Sequence, residues 1–198
     1  MTEQDSGGIS ADIRDRLAPG SWTIDGMHSF VTFSVAHFTV SFARGMAAGP
    51  TGVITIAPDL LDSSVAASLD ASTVTTLNPV RDAKIQGPEV LDAARFKTID
   101  FLSTALRVSG DNTYELDGRL TLHGVSKDVT LELVFNGVIV DTWGKRRLGL
   151  TARTELSRDE FGSGEWGRVP LSAGGFMVPN RVEVTLDIEA TKDDDETS

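Results

Sequence analysis

The chain has 198 residues, a formal net charge of −11 at pH 7, 40% hydrophobic and 24% charged residues, and no cysteine. A chain of this length favours one domain with a sizeable core, and the lack of thiols excludes disulfides, thiolate catalysis and Cys-ligated zinc. An acidic surface repels phosphate backbones and anionic lipid headgroups, which sets aside nucleic-acid binding and direct docking on anionic membranes.

The N-terminus, MTEQDSGGIS, lacks the basic and apolar regions of a secretory signal. No apolar run is long enough for a membrane-spanning helix. The expected location is the cytoplasm, or the periplasm or exterior if a leader has been trimmed. Residues 1–19 read as an extension, polar and disordered over 1–8, with a short helix over 9–17 stopped by Pro19 and Gly20. The folded domain is expected over 20–190, opening at Trp22. Asp193, Asp194, Asp195 and Glu196 mark 191–198 as an acidic solvated tail.

From Trp22 onward the dominant period is two. Phe33 and Val35 alternate with Thr32 and Ser34, and Ile54 and Ile56 flank Thr55. Tyr114, Leu116, Leu120 and Leu122 share one face, as do Val129, Leu131, Leu133 and Phe135. Leu148, Leu150 and Ala152 follow, then Val182, Val184, Leu186 and Ile188. Such alternation marks strands with one wet and one dry face. Turn signals such as Gly110-Asp111-Asn112 and Asn136-Gly137 separate the runs. The gaps are too short for the crossover helices of a parallel sheet, so the expected fold is all-β, an antiparallel barrel or sandwich.

Two stretches break the alternation. Residues 78–97 take on a helical look, with Val80, Ala83, Ile85, Val90, Leu91 and Phe96 apolar and Pro88 expected to split them into two short helices. Such an insert can cap one end of a barrel. Residues 161–179, rich in glycine, read as a long loop at a rim.

Several inward positions are small at mid-strand: Ala67 and Ala71 around Leu69, Ser103 and Ala105 after Phe101, and Ala152 beside Leu150. Two arrangements fit this pattern, a filled barrel with a taper and a barrel with an open channel. A strand of roughly ten residues rises about 33 Å. A channel of that length suits a chain-like ligand, and at about 0.8 kcal/mol per buried methylene such a ligand needs few polar contacts.

At this point the residues resemble a known family. Trp22-Thr-Ile-Asp25-Gly-Met-His28-Ser29 followed by Val31-Thr-Phe33-Ser-Val35-Ala-His37 is similar to the opening signature of the YceI-like barrels. Gly45, the Arg81-Asp82 pair, Leu120-Thr-Leu-His123-Gly124-Val125, Phe161-Gly162 and the closing strand from Val182 to Glu189 agree in order. Lys84-Ile85 stand where the family often has His and Leu. The resemblance implies an eight-stranded antiparallel lipocalin-like barrel with a short helical insert near 78–97. It also implies a non-catalytic role, binding, storing or transporting a polyisoprenoid or isoprenoid quinone with no other cofactor required.

The expected ligand-binding residues follow from these readings. Phe33, Phe101, Leu120, Leu122 and Leu150 belong to the strands. Phe38, Phe42 and Met46 lie where one strand gives way to the next, Leu91 and Phe96 on the insert, and Phe161, Trp166 and Phe176 on the rim loop. His37, Arg81 and Lys84 are the candidates for a polar headgroup, a phosphate or a quinone oxygen. Trp22 and Trp143 are expected to be structural plugs. His28, His37 and His123 form no close pair on one element, and HExxH, GxSxG and P-loop patterns are absent, so neither a metal site nor a catalytic site is expected. The alternative, an enzyme acting on an isoprenoid or polyketide-like substrate, needs an inward carboxylate or histidine. Asp70 and Asp100 come nearest, but alternation turns them outward. Partners are limited to a long-chain apolar small molecule and a possible homodimer through an exposed strand.

Overall fold

The computed structural model describes residues 16–110 and 112–193. The disorder expected over 1–8, most of the helix expected over 9–17 and all but the start of the acidic tail lie outside them. Among the described residues ten strands form one antiparallel sheet: β1 (Gly20–Ile24), β2 (Phe30–His37), β3 (Ser41–Ala48), β4 (Thr51–Ile56), β5 (Ser64–Asp70), β6 (Thr98–Gly110), β7 (Thr113–Leu122), β8 (Val125–Val140), β9 (Arg146–Ser157) and β10 (Arg181–Lys192). The strand order runs β1-β4-β5-β6-β7-β8-β9-β10, and β1 also pairs with β10, so these eight close into a barrel.

β2 and β3 extend two of those staves. β10 carries β1 and β2 end to end on the same edge, with Ile24 opposite Ala190 and Phe30 opposite Asp187. β4 pairs with β1 and β3 with β2 in the same way. The first hairpin is thus bent in both arms. In one arm the buried Ser29 hydroxyl donates to the Glu189 carbonyl at 3.2 Å and accepts from the Glu189 N–H at 2.9 Å. In the other, Gly49 takes a φ of 73° just before the buried Pro50. Arg147 ties the bend down from β9. It donates to Asp141 at 2.7 Å and Asp25 at 3.0 Å, and it also reaches Glu189. These three carboxylates, Asp141 foremost, hold its guanidinium firmly charged.

Two bulges shift the inward set of residues. In β6 the register slips between Ser103 and Ala105. Leu106 then packs into the core, and Ala105 is exposed rather than lining the lumen as the alternation predicts. In β8 the slip lies between Phe135 and Gly137, where Gly137 has a φ of 142°. Asn136-Gly137 is therefore a bulge and not a hairpin turn. The turn comes later, where Asp141 accepts from the N–H groups of Trp143 and Lys145, both at 2.9 Å.

The lower end is largely filled by side chains. Trp22 is fully buried and packs in one cluster with Leu17, Ile56, Tyr114, Phe135 and Leu148. Its indole N–H donates to the Ala18 carbonyl at 3.1 Å. Trp143, expected as a second plug, is 72% exposed near the tip of the β8–β9 hairpin. β10 runs on to Lys192, with Thr191 and Lys192 opposite Thr23 and Trp22, so both residues belong to the sheet and not to the acidic tail.

The upper end is roofed by the insert between β5 and β6. It contains one helix, α1 (Pro79–Ile85), capped by the Asn78 side chain, which accepts from the Arg81 N–H at 3.1 Å. Gly87 and Pro88 end the helical path, and the chain continues in turns through Asp92, whose φ of 45° is left-handed. The second helix expected after Pro88 is absent for that reason. Gln86 donates to the carbonyls of Ser72 and Val74 at 3.0 and 2.9 Å, holding α1 to the turn that leads out of β5.

Candidate functional site

Period two sends one side of every stave into the lumen, and in the upper half those side chains leave a cavity of about 300 Å³. Val31, Phe101, Leu120, Leu131, Leu150 and Val184 are representative of its walls. Val74, Ile85, Val90 and Leu91 descend from the insert, and Phe161, Trp166 and Val178 from the rim loop between β9 and β10. A smaller void of about 70 Å³ lies toward the plug.

Glycine keeps the axis clear. The two strand phenylalanines that line this cavity each face a glycine on the neighbouring stave. A Cβ on Gly45 would lie 2.3 Å from Cζ of Phe33, and a Cβ on Gly118 would lie 2.3 Å from Cζ of Phe101. Each ring therefore occupies the space of a missing side chain in the wall instead of crossing the lumen. Ala47 and Ala152, both buried, keep other inward positions short.

Among the described residues, Ser68, Thr154, Arg158, Ser163 and Trp166 are the lining residues that carry a polar side-chain group. Ser68 donates to Asp100 at 2.6 Å, Thr154 to the Thr130 carbonyl at 2.9 Å, and Ser163 to the Arg158 carbonyl at 3.3 Å. Arg158 begins the short 3-10 turn Arg158–Phe161 and is 9% exposed. Its Nε donates to the Pro179 carbonyl at 3.2 Å. Nη1 donates to Ser163 at 3.3 Å and Trp166 at 2.9 Å, and Nη2 to Val178 at 3.1 Å, all backbone carbonyls. Burial pushes its guanidinium below the ordinary arginine pKa, with Asp159 opposing that shift and Arg168 adding to it. The adjacent Asp159 carboxylate lies 3.4 Å from Arg168 instead.

The sixteen residues expected to bind ligand divide evenly. Phe33, Leu91, Phe101, Leu120, Leu122, Leu150, Phe161 and Trp166 line the cavity. Phe42 and Met46 do not, because Gly45 and Ala47 take the inward positions of β3; Phe42 is exposed, and Met46 exchanges backbone bonds of 2.8 Å with Thr75. Phe38 is exposed at the hairpin tip, where His37 packs edge-on against it at 4.5 Å. Phe96 fills the space over Gly124 and meets His123 at 5.5 Å, and Phe176 lies under Arg168 at 5.2 Å. Neither expected headgroup cation reaches the lumen. Arg81 donates to the Thr76 hydroxyl at 2.7 Å, and Lys84 is exposed on α1. Arg158 is the cation that sequence reasoning misses, and its one signal is its place just before Phe161-Gly162.

Among the described residues one cluster has metal-ligand composition, Asp25, His28 and Glu189. Arg147 already donates to Asp25 and Glu189, so a cation sits where an ion would. His28 is 2.9 Å from Asp25, and that hydrogen bond is the main cause holding the Asp25 carboxyl below its usual range.

Comparison with known proteins agrees with this geometry. The family model described as the YceI-like domain matches residues 22–190. A UPF0312 protein of Pseudomonas syringae pv. tomato is 32% identical over 168 residues, 84% of this chain and 81% of the relative. One from Pseudomonas putida is 33% identical over 141 residues, 70% of this chain and 72% of the relative. Among solved structures, BcnA of Burkholderia cenocepacia superposes with a TM-score of 0.71 at 18% identity, covering 84% of this chain and 98% of BcnA. A polyisoprenoid binding domain from Saccharophagus degradans, described as implicated in plant cell wall breakdown, gives 0.66 at 16% identity, over 85% and 97%.

Proposed function

The chain belongs to the YceI-like family, and from that premise we propose that its upper lumen binds one long apolar isoprenoid, a polyprenyl phosphate or an isoprenoid quinone, to store, shield or transport it. The observation that carries this reading is the cavity of about 300 Å³ with almost wholly apolar walls. That volume lies at the lower end of the range for small-molecule sites. At about 0.8 kcal/mol per methylene, ten buried methylene equivalents contribute roughly 8 kcal/mol with no polar contact. Family membership, and the polyisoprenoid binding described for the Saccharophagus neighbour, support an isoprenoid over a simple fatty chain.

The lining also weighs against the enzymatic alternative. Among the described residues it contains no Asp, Glu, His, Cys or Lys, the side chains suited to general acid or base catalysis. Arg158 stays protonated and serves neither role.

The test is gentle solvent extraction of purified full-length protein, followed by mass spectrometry and by titration of the emptied protein with geranylgeraniol. Trp166, in the lining, reports by fluorescence. An isoprenoid released near one per chain, with saturable rebinding, is expected. An extract free of isoprenoids together with no geranylgeraniol binding would overturn the proposal.

A further inference from the structure

Arg158 is the charged side chain in the lining and is nine-tenths buried, and its bonding is incomplete. A guanidinium has five N–H groups. Four are taken by the carbonyls of Pro179, Ser163, Trp166 and Val178, which leaves one on Nη2 with no acceptor among the described residues. Carbonyl dipoles soften the burial of a cation but neutralise no charge, and no carboxylate forms an ion pair with it among the described residues. Asp159, next in sequence, acts on it only through space and lies against Arg168. Glu165 and Glu155 are likewise directed to other arginines, Arg168 and Arg181. A buried, unneutralised charge is normally avoided, and where it persists it tends to belong to a binding site.

We propose that Arg158 seats an anionic headgroup, so that the cavity takes its isoprenoid with a phosphate under the rim loop and the chain running down toward the Trp22 plug. This deepens the carrier reading and rests on it. The geometry sets the polarity of the ligand. The lower end is closed by Trp22, and the walls between offer only side-chain hydroxyls already bonded elsewhere. An anion at Arg158 supplies both the missing acceptor and the missing countercharge, whereas a neutral alcohol or quinone oxygen supplies only the first.

A purely structural reading assigns Arg158 to bracing the rim loop, since all four carbonyls belong to it. The two readings separate in ligand preference. Wild-type protein, R158M and R158K are titrated calorimetrically with geranylgeranyl phosphate and with geranylgeraniol. Seating of the headgroup requires wild type to favour the phosphate by about tenfold or more, the ordinary worth of a charge-assisted bond. R158M should bring the two ligands to within about threefold of one another while R158K keeps part of the preference. If R158M fails to fold, the wild-type preference and the R158K partial preference still decide. Equal wild-type affinities, or an R158M variant that weakens both ligands alike, overturn the headgroup assignment and leave the carrier reading standing. Failure of wild type to bind either ligand overturns both.

Discussion

At the lower end of the barrel Trp22 and Ala190 have no exposed surface and Leu148 has 1%, and the void beside this cluster holds about 70 Å³. At the upper end, between the same staves, about 300 Å³ stays open. Both halves share the alternation of inward apolar side chains, so hydrophobic patterning alone does not separate a plug from a chamber. The difference lies in what faces each large residue. Trp22 packs against Leu17 and the large residues of its cluster and fills the axis. Phe33 and Phe101 face Gly45 and Gly118, and their rings become part of the wall.

The contrast breaks most severely at its solid end. Trp22→Ala removes the largest fully buried side chain, whose neighbours come from several strands and cannot close the gap. A loss of about 3–5 kcal/mol in urea unfolding is expected. A loss below about 1 kcal/mol would mean that the lower end is held by something other than this plug.

Gly118→Ala tests the hollow end. The new Cβ would sit 2.3 Å from Cζ of Phe101, so the ring must leave the wall for the lumen. The same Cβ would also lie 2.7 Å from the Leu102 carbonyl oxygen, which moving the ring does not relieve, so overpacking costs about 1–3 kcal/mol. The sharper readout is affinity for geranylgeraniol, expected to fall about tenfold, the equivalent of two lost methylene contacts. Unchanged affinity would show that Phe101 is not a wall residue.

Much of this architecture is legible in the sequence. Period two survives along every stave but β6 and β8, and the insert and rim loop reveal themselves by losing it. What stays hidden is parity after a local irregularity. Nothing in Phe101-Leu-Ser103-Thr-Ala105 announces a bulge, so Ala105 reads as inward although Leu106 takes that place. Asn136-Gly137 carries a strong turn signal, yet its glycine serves a bulge in a strand that continues to Val140. In β3, Phe42 and Met46 attract attention by size, while the inward positions belong to the less conspicuous Gly45 and Ala47. Arg158 is hidden by its neighbours, because Asp159 and Glu160 make the segment look like a solvated turn. Its burial depends on a rim loop that folds back from more than ten residues away.

The smallest expected effect is electrostatic and again sets one end against the other. Below the chamber, Asp25 is held under its usual pKa chiefly by His28, and Asp141 chiefly by Arg147. Above it, Asp82 is held down chiefly by the Thr76 hydroxyl, in the contacts that fasten the insert. A carboxyl lowered in the folded state takes up its proton later than in the unfolded chain. Its stabilising effect is complete above the unfolded value of about 4 and is lost as pH falls through the folded value. The urea midpoint should therefore stay level from neutral pH to about pH 5 and decline below about pH 4. Arg147→Met should lower the midpoint at neutral pH and flatten the acid decline, because the chief cause of the Asp141 shift is gone. Asp82→Asn should flatten it by a separate increment, since the two carboxyls share no partner. An R147M protein that declines in acid as steeply as wild type would show that the arginine cluster at the bend does not couple protonation to folding.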